Sequence, residues 1–302
     1  MQFMQRLVPW GNGLLLVAQL TLLSMNRAPW LPPDSHAAVA VADDSQGQVS
    51  VGELDQQESS PVSEKEWHSA RKSIRKATRL FESIDDIEGR FQKQERWGKF
   101  LEEPATLEFR QLVQPLCIYL KWEAPHTGRE VLYRQDLDAE KVIVLESTPL
   151  GKLAPTFVLS HDHKLAKQVS RYSIDELNLA GFMTRIRRYF GKGQRDPNTQ
   201  LAVVESVDID GVDCRRISIL HPRQGKTAPR DYHQVELYFR NSDGLPIRWE
   251  KYGWPGTFDS DEPPLIEFFK LSDVQLNRGR STEDFDADHA EFGFSRIHVP
   301  LQ

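Results

Sequence analysis

Only two cysteines, Cys117 and Cys214, occur in the 302-residue chain. A disulfide-dense miniprotein is thereby excluded, and the fold must rest on a packed core. Basic charge is also short, with a formal net charge of −6. A nucleic-acid binder needs a Lys/Arg excess to displace counterions from phosphates, so that class is set aside. Long apolar runs are missing as well. With a mean hydropathy of −0.52 and few stretches near the ~20 apolar residues of a membrane helix, the chain is not a multi-span membrane protein. No repeat recurs at a fixed period, which removes propellers and solenoids. Nor is there a nucleophile signature: no G-x-S-x-G elbow, no Ser-x-x-Lys set in a sensible context, no His beside either thiol. Paired carboxylates of an envelope hydrolase stay open, because their separation is spatial rather than sequential. What remains is ordinary globular material, 39% apolar and 27% charged, enough to bury a core.

Residues 1–42 read as a signal peptide or N-terminal anchor. Arg6 precedes the apolar stretch from Leu14 to Leu23, whose length and flank suit a secretory h-region. Asn12, Gln19, Thr21 and Ser24 interrupt it, which makes a membrane span the weaker reading. Small-residue cleavage patterns follow at Ala38-Val39-Ala40 and Ala40-Val41-Ala42. Export to the periplasm or cell envelope is therefore expected. Residues 43–62 form an acidic flexible linker, too poor in apolar side chains to offset the entropy of ordering.

Residues 63–302 are expected to form a single α+β domain. Ser63-Glu64-Lys65-Glu66 has capping-box spacing, and Trp67, Ala70, Ile74, Ala77, Leu80, Phe81 and Ile84 then recur every three or four residues. Short runs rich in β-branched and aromatic residues follow: 87–96, 105–113, 116–123, 129–133, 141–146 and 156–160. A second helix, capped by Ser173 and running to Phe190, interrupts them before runs at 201–209, 212–220, 231–240, 245–254 and 265–276. Connections are short, with Asp210-Gly211 and Asn241-Ser242-Asp243-Gly244 as hairpin turns. Parallel strands would each need a crossover helix, so the expected architecture is a large, curved, mostly antiparallel sheet, an incomplete barrel, with helices packed on one face.

The runs Thr127-Gly128-Arg129-Glu130-Val131-Leu132-Tyr133, Gly211-Val212-Asp213-Cys214 and Leu245-Pro246-Ile247-Arg248-Trp249-Glu250-Lys251-Tyr252-Gly253-Trp254-Pro255 carry a family resemblance. The chain resembles, from about Trp67 to Phe292, exported bacterial proteins grouped as domain of unknown function 1571. More distantly, the order of helix, many strands and inserted helix is similar to the LolA-like lipoprotein-carrier fold. That resemblance implies a curled, incompletely closed sheet sheltering acyl chains.

Several residues are candidates for function. Trp122, Phe182, Ile186, Phe239 and Trp249 fall on strands and a helix that could line one hydrophobic hollow, with Trp254 near its rim; core packing is the competing reading. Arg185, Arg187, Arg188, Lys192 and Arg195 form a local basic patch suited to an anionic headgroup, or simply a solvated helix end that complements the dipole. An oxidising compartment permits a disulfide between Cys117 and Cys214, but two separate buried thiols are the favoured reading, because free Cys is itself among the most buried residues. His161-Asp162-His163 offers half a metal site without further ligands of suitable spacing. Asp284-Phe285-Asp286-Ala287-Asp288 has His289 where a calcium loop needs Gly, and reads as the start of a short capped helix. No catalytic residue, metal or cofactor is assigned. The expected function is binding, without catalysis, of a lipid or lipoprotein acyl chain in the hollow, with peripheral membrane contact. The alternative is an interaction module whose partner is another envelope protein.

Overall fold

The computed structural model of the chain describes residues 64–147, 156–161, 163, 170–194, 198–221, 232–258 and 260–294. The expectations for residues 1–42 and 43–62, and those for Ser63, Asp162 and Arg195, lie outside the described residues. Two helices, α1 (Glu64–Phe81) and α2 (Leu179–Gln194), accompany twelve strands. The strands are β1 (Asp86–Trp97), β2 (Phe100–Leu101), β3 (Ala105–Leu112), β4 (Cys117–Ala124), β5 (Glu130–Arg134) and β6 (Lys141–Leu145). They continue with β7 (Thr156–Ser160), β8 (Gln200–Ile209), β9 (Val212–Leu220), β10 (Gln234–Arg240), β11 (Pro246–Tyr252) and β12 (Leu265–Leu276).

All the strands join one curved, unclosed antiparallel sheet in the order β7-β6-β5-β4-β3-β1-β12-β11-β10-β9-β8, with β2 paired to β1 off this path. The chain meanders outward from the centre to the β7 edge and returns from the β8 edge to the centre. There β1 and β12 meet, in a register that sets Phe91 opposite Leu271 and Glu95 opposite Glu267. Short hairpins suffice within each half, but the link from β7 to β8 must join opposite edges. That link carries α2, which therefore crosses a face of the sheet.

Helix α1 turns Trp67, Ala70, Ile74 and Ala77 to one side, as its 3.6-residue period requires. With Met183, Ile186 and Phe190 of α2 they cover Ile217, Ile219, Val235, Leu237, Phe239 and Trp249 of β9 to β11. The opposite face is covered elsewhere, by the C-terminal segment. Phe285, Phe292 and Phe294 pack on Cys117, Tyr119 and Leu132, and the Tyr119 and Phe292 rings stack at 4.1 Å. Each fully buried phenylalanine contributes about 2–3 kcal/mol. Asp86 anchors this segment by accepting the N–H groups of Arg278, Gly279 and Arg280 at 2.8, 2.9 and 3.1 Å.

One expectation is corrected and one open alternative is decided. The second helix does not begin at Ser173. That serine caps a 3-10 turn (Ile174–Glu176), and α2 begins at Leu179 after Asn178, whose Oδ1 accepts the Gly181 N–H at 2.8 Å. The turn folds so tightly against the helix that a Cβ on Gly181 would meet the Glu176 carbonyl oxygen at 2.2 Å. Of the two readings of Cys117 and Cys214, the structure has the separate thiols, both free and buried, and no disulfide joins them. Cys117 on β4 and Cys214 on β9 stand six strands apart, within different core clusters. The segment after Ser281 does form a short 3-10 helix (Thr282–Phe285), with the Ser281 N–H donated to Asp284 Oδ2 at 2.8 Å.

Candidate functional site

Five adjacent strands, β4-β3-β1-β12-β11, floor a hollow beneath the start of α2. The period of two puts Phe91, Phe109, Ile118, Leu120, Phe269 and Leu271 on its floor. Registers confirm the shared face: Phe109 lies opposite Leu120, and Phe91 opposite Leu271. Pro246 and Ile247 of β11 close one side, and Leu177, Asn178, Leu179, Phe182 and Arg185 form the roof. Gln111, a polar group of the floor, accepts the Leu179 N–H at 3.3 Å and so holds the helix start over the sheet. The unfilled space, counted out through its open mouth into solvent, measures about 710 Å³.

Further along the same strands the inner face changes character. Lys93 and Glu95 of β1, Lys251 of β11 and Glu267 of β12 are all buried. Lys93 Nζ lies 2.7 Å from Glu95 Oε2, and Lys251 Nζ lies 2.7 Å from Glu267 Oε2. The remaining carboxylate oxygens hold the segment that leads into the roof. Glu95 Oε1 accepts the Arg171 N–H at 3.1 Å, and Glu267 Oε1 accepts the Tyr172 hydroxyl at 2.6 Å. Burial pushes the Lys251 ammonium down, and Glu267 with Tyr189 more than reverses this, so its pKa is raised. Burial, with Glu267 adding to it, lifts the Tyr172 hydroxyl far above the usual tyrosine range and keeps it a donor. Glu102 beside this cluster is likewise raised by burial, against the lowering influence of Lys93.

Arg185 connects the two regions. Its guanidinium lies 4.1 Å from the Tyr172 ring centroid, while Tyr172 packs at 6.1 Å on Phe269 of the hollow floor.

Of the sequence candidates for the hydrophobic hollow, Phe182 stands in its roof. Ile186, Phe239 and Trp249 pack together in the core behind it, with the Trp249 ring 5.2 Å from Phe182. Trp122 belongs to the core cluster that includes Phe109 and Leu120, under the Arg129 guanidinium at 5.6 Å. Trp254 lies apart from these, 5.1 Å from the His233 ring. Among the basic candidates, Arg185 reaches the hollow, whereas Arg187 and Arg188 are exposed and Arg187 donates to Thr78 Oγ1 at 2.9 Å. Lys192 is half-buried further along α2. His161 faces Glu140 and Asp175 at 3.6 and 3.5 Å, and no group of three metal-ligating side chains occurs among the described residues. Two of the three carboxylates of the calcium-like segment are engaged by arginines, Asp284 by Arg280 and Asp286 by Arg134.

Sequence reasoning missed Lys93, Glu95, Tyr172, Lys251 and Glu267. For the four strand residues the signal was parity: Phe91, Lys93 and Glu95 alternate along β1, as do Trp249 and Lys251 along β11 and Glu267 and Phe269 along β12; Tyr172, outside any strand, carried no such signal.

No curated protein matches the chain. Among solved structures, it is similar to an uncharacterized conserved protein from Thermus thermophilus, at 10% identity and a TM-score of 0.37, over 71% of this chain and 91% of that one. It is similar to the lipoprotein LppX of Mycobacterium tuberculosis at 10% identity and a TM-score of 0.40, over 71% of this chain and 98% of that one. A LolA superfamily protein from Nitrosomonas europaea follows at 13% identity and a TM-score of 0.31, over 72% of this chain and 97% of that one. A family profile described as protein of unknown function (DUF1571) matches residues 84–294, which takes in the whole sheet and α2, and the chain belongs to that family.

Proposed function

We propose that this chain is an exported, non-catalytic binding protein of the cell envelope that takes a lipid or acyl chain into the hollow beneath α2. The observation that carries this reading is the apolar space between the helix start and five strands, floored by Phe91, Phe109, Ile118, Leu120, Phe269 and Leu271. Burial of apolar ligand surface there is favourable by about 25 cal/mol per Å². The roof is hinged where the chain changes helix type, at Leu177 and Asn178. Entry and release of ligand are assigned to movement of this roof.

Uptake of the uncharged fluorophore N-phenyl-1-naphthylamine tests the reading. The wild-type chain should bind it, and Leu120→Trp, which fills the hollow, should weaken binding at least about tenfold while the fold persists. Native mass spectrometry of protein from its host's envelope fraction, before and after organic extraction, should show a discrete lipid mass that extraction removes. Absence of both probe uptake and lipid would overturn the proposal.

A further inference from the structure

We infer that the ligand is an amphiphile with an anionic head, carboxylate or phosphate, and that Arg185 receives that head. This rests on the binding reading above and specifies its ligand class. Two cations, Arg185 and Lys270, reach the lining of the hollow. Lys270 is neutralised by Asp210. Arg185 has different neighbours: its Nη1 donates to the Glu176 carbonyl at 2.9 Å, and its guanidinium lies 4.1, 5.9 and 6.0 Å from the rings of Tyr172, Trp249 and Phe182. These contacts fix the plane of the guanidinium without supplying a counter-ion.

The carboxylates of the adjoining ion cluster do not serve that purpose. Glu95 is paired with Lys93 and Glu267 with Lys251, and neither carboxylate forms an ion pair with Arg185. A hydrogen-bonding deficit coincides with this. Arg185 Nε is buried and has no acceptor. Buried donors are nearly always paired, so this unsatisfied donor in the lining of an apolar space calls for an acceptor. A neutral head would fill the hydrogen bond and leave the charge uncompensated. A carboxylate or phosphate does both, with the planar fork of an arginine as its natural partner.

The test compares laurate, dodecyl phosphate and dodecanol, below their micelle-forming concentrations, as displacers of N-phenyl-1-naphthylamine from the wild-type full chain. The two anions should displace the probe at concentrations at least about tenfold lower than the alcohol of equal chain length. Arg185→Gln should erase that preference, and Arg185→Lys should keep part of it. Equal displacement by all three, with the probe bound, would overturn the anionic head and leave the hollow standing. Failure of the neutral probe to bind would overturn both. The wild-type comparison decides the matter even where a variant does not fold.

Discussion

Strands β1, β11 and β12 present two different interiors along one face. Toward one end Phe91, Ile247, Phe269 and Leu271 border unfilled space; toward the other Lys93, Glu95, Lys251 and Glu267 are packed and paired. Apolar walls bind weakly to what lies over them and allow it to shift. Buried ion pairs fix geometry, since each displaced charge is left desolvated. The roof segment is thus pinned at residues 171 and 172 by the buried carboxylates, and further on it is held over the hollow by the Gln111 hydrogen bond to the Leu179 N–H. The difference teaches that one face can combine a site needing room with an anchor needing none.

The largest expected effect comes from breaking the anchor. Glu267→Ala should cost about 3–5 kcal/mol in urea unfolding, because Lys251 is left buried without a partner. Replacing both, Lys251→Met with Glu267→Leu, should recover most of that loss. At the other end, Phe109→Ala should cost about 3 kcal/mol, the low end for a phenylalanine, because its site already borders space. A cost above that of Glu267→Ala would invert the comparison. Tyr172→Phe removes one hydrogen bond to a carboxylate and should cost about 1.5 kcal/mol, while speeding probe release in stopped-flow fluorescence.

The smallest effect concerns pH. Burial raises the Glu102 carboxyl in the folded state, so its protonated form is favoured there. Its contribution to stability is fully present below its unfolded pKa of about 4.5 and is lost as pH rises through the folded value. Glu102→Gln should flatten that part of the stability curve, and no comparable slope should follow from a variant of the apolar end. Separately, burial pushes the Cys117 thiol up to about 12 and the Cys214 thiol up to about 11. Alkylating reagents at about pH 8 should leave both untouched until the chain is unfolded, and then label both.

Much of the sheet was legible in advance because alternation along a half-buried strand is a local property. The runs at 212–220 and 265–276 coincide with β9 and β12. Strand order was not legible, since the pairing of β1 with β12 depends on contacts between distant parts of the chain. The break between the 3-10 turn and α2 was hidden behind a genuine capping signal at Ser173, while the cap that starts the helix, Asn178, lies five residues on. The ion cluster was masked by its composition. Lys and Glu in a strand read as solvent-facing unless their parity with Phe91, Trp249 and Phe269 is given more weight than their charge. Arg185 was legible as one of five cations, but only the path of α2 separates it from the rest.

The central pairing of β1 with β12 also bears on how the chain folds. Each half of the sheet can form from neighbouring hairpins, whereas Ile87 must find Leu276 across almost the whole domain. Contacts of such sequence separation form slowly, so joining the halves is the step that sets the folding rate. Until then the edges of β1 and β12 offer unpaired backbone to other chains. Newly made protein is most prone to aggregate in that interval, and a factor that shields those two strands would raise its yield without altering its stability.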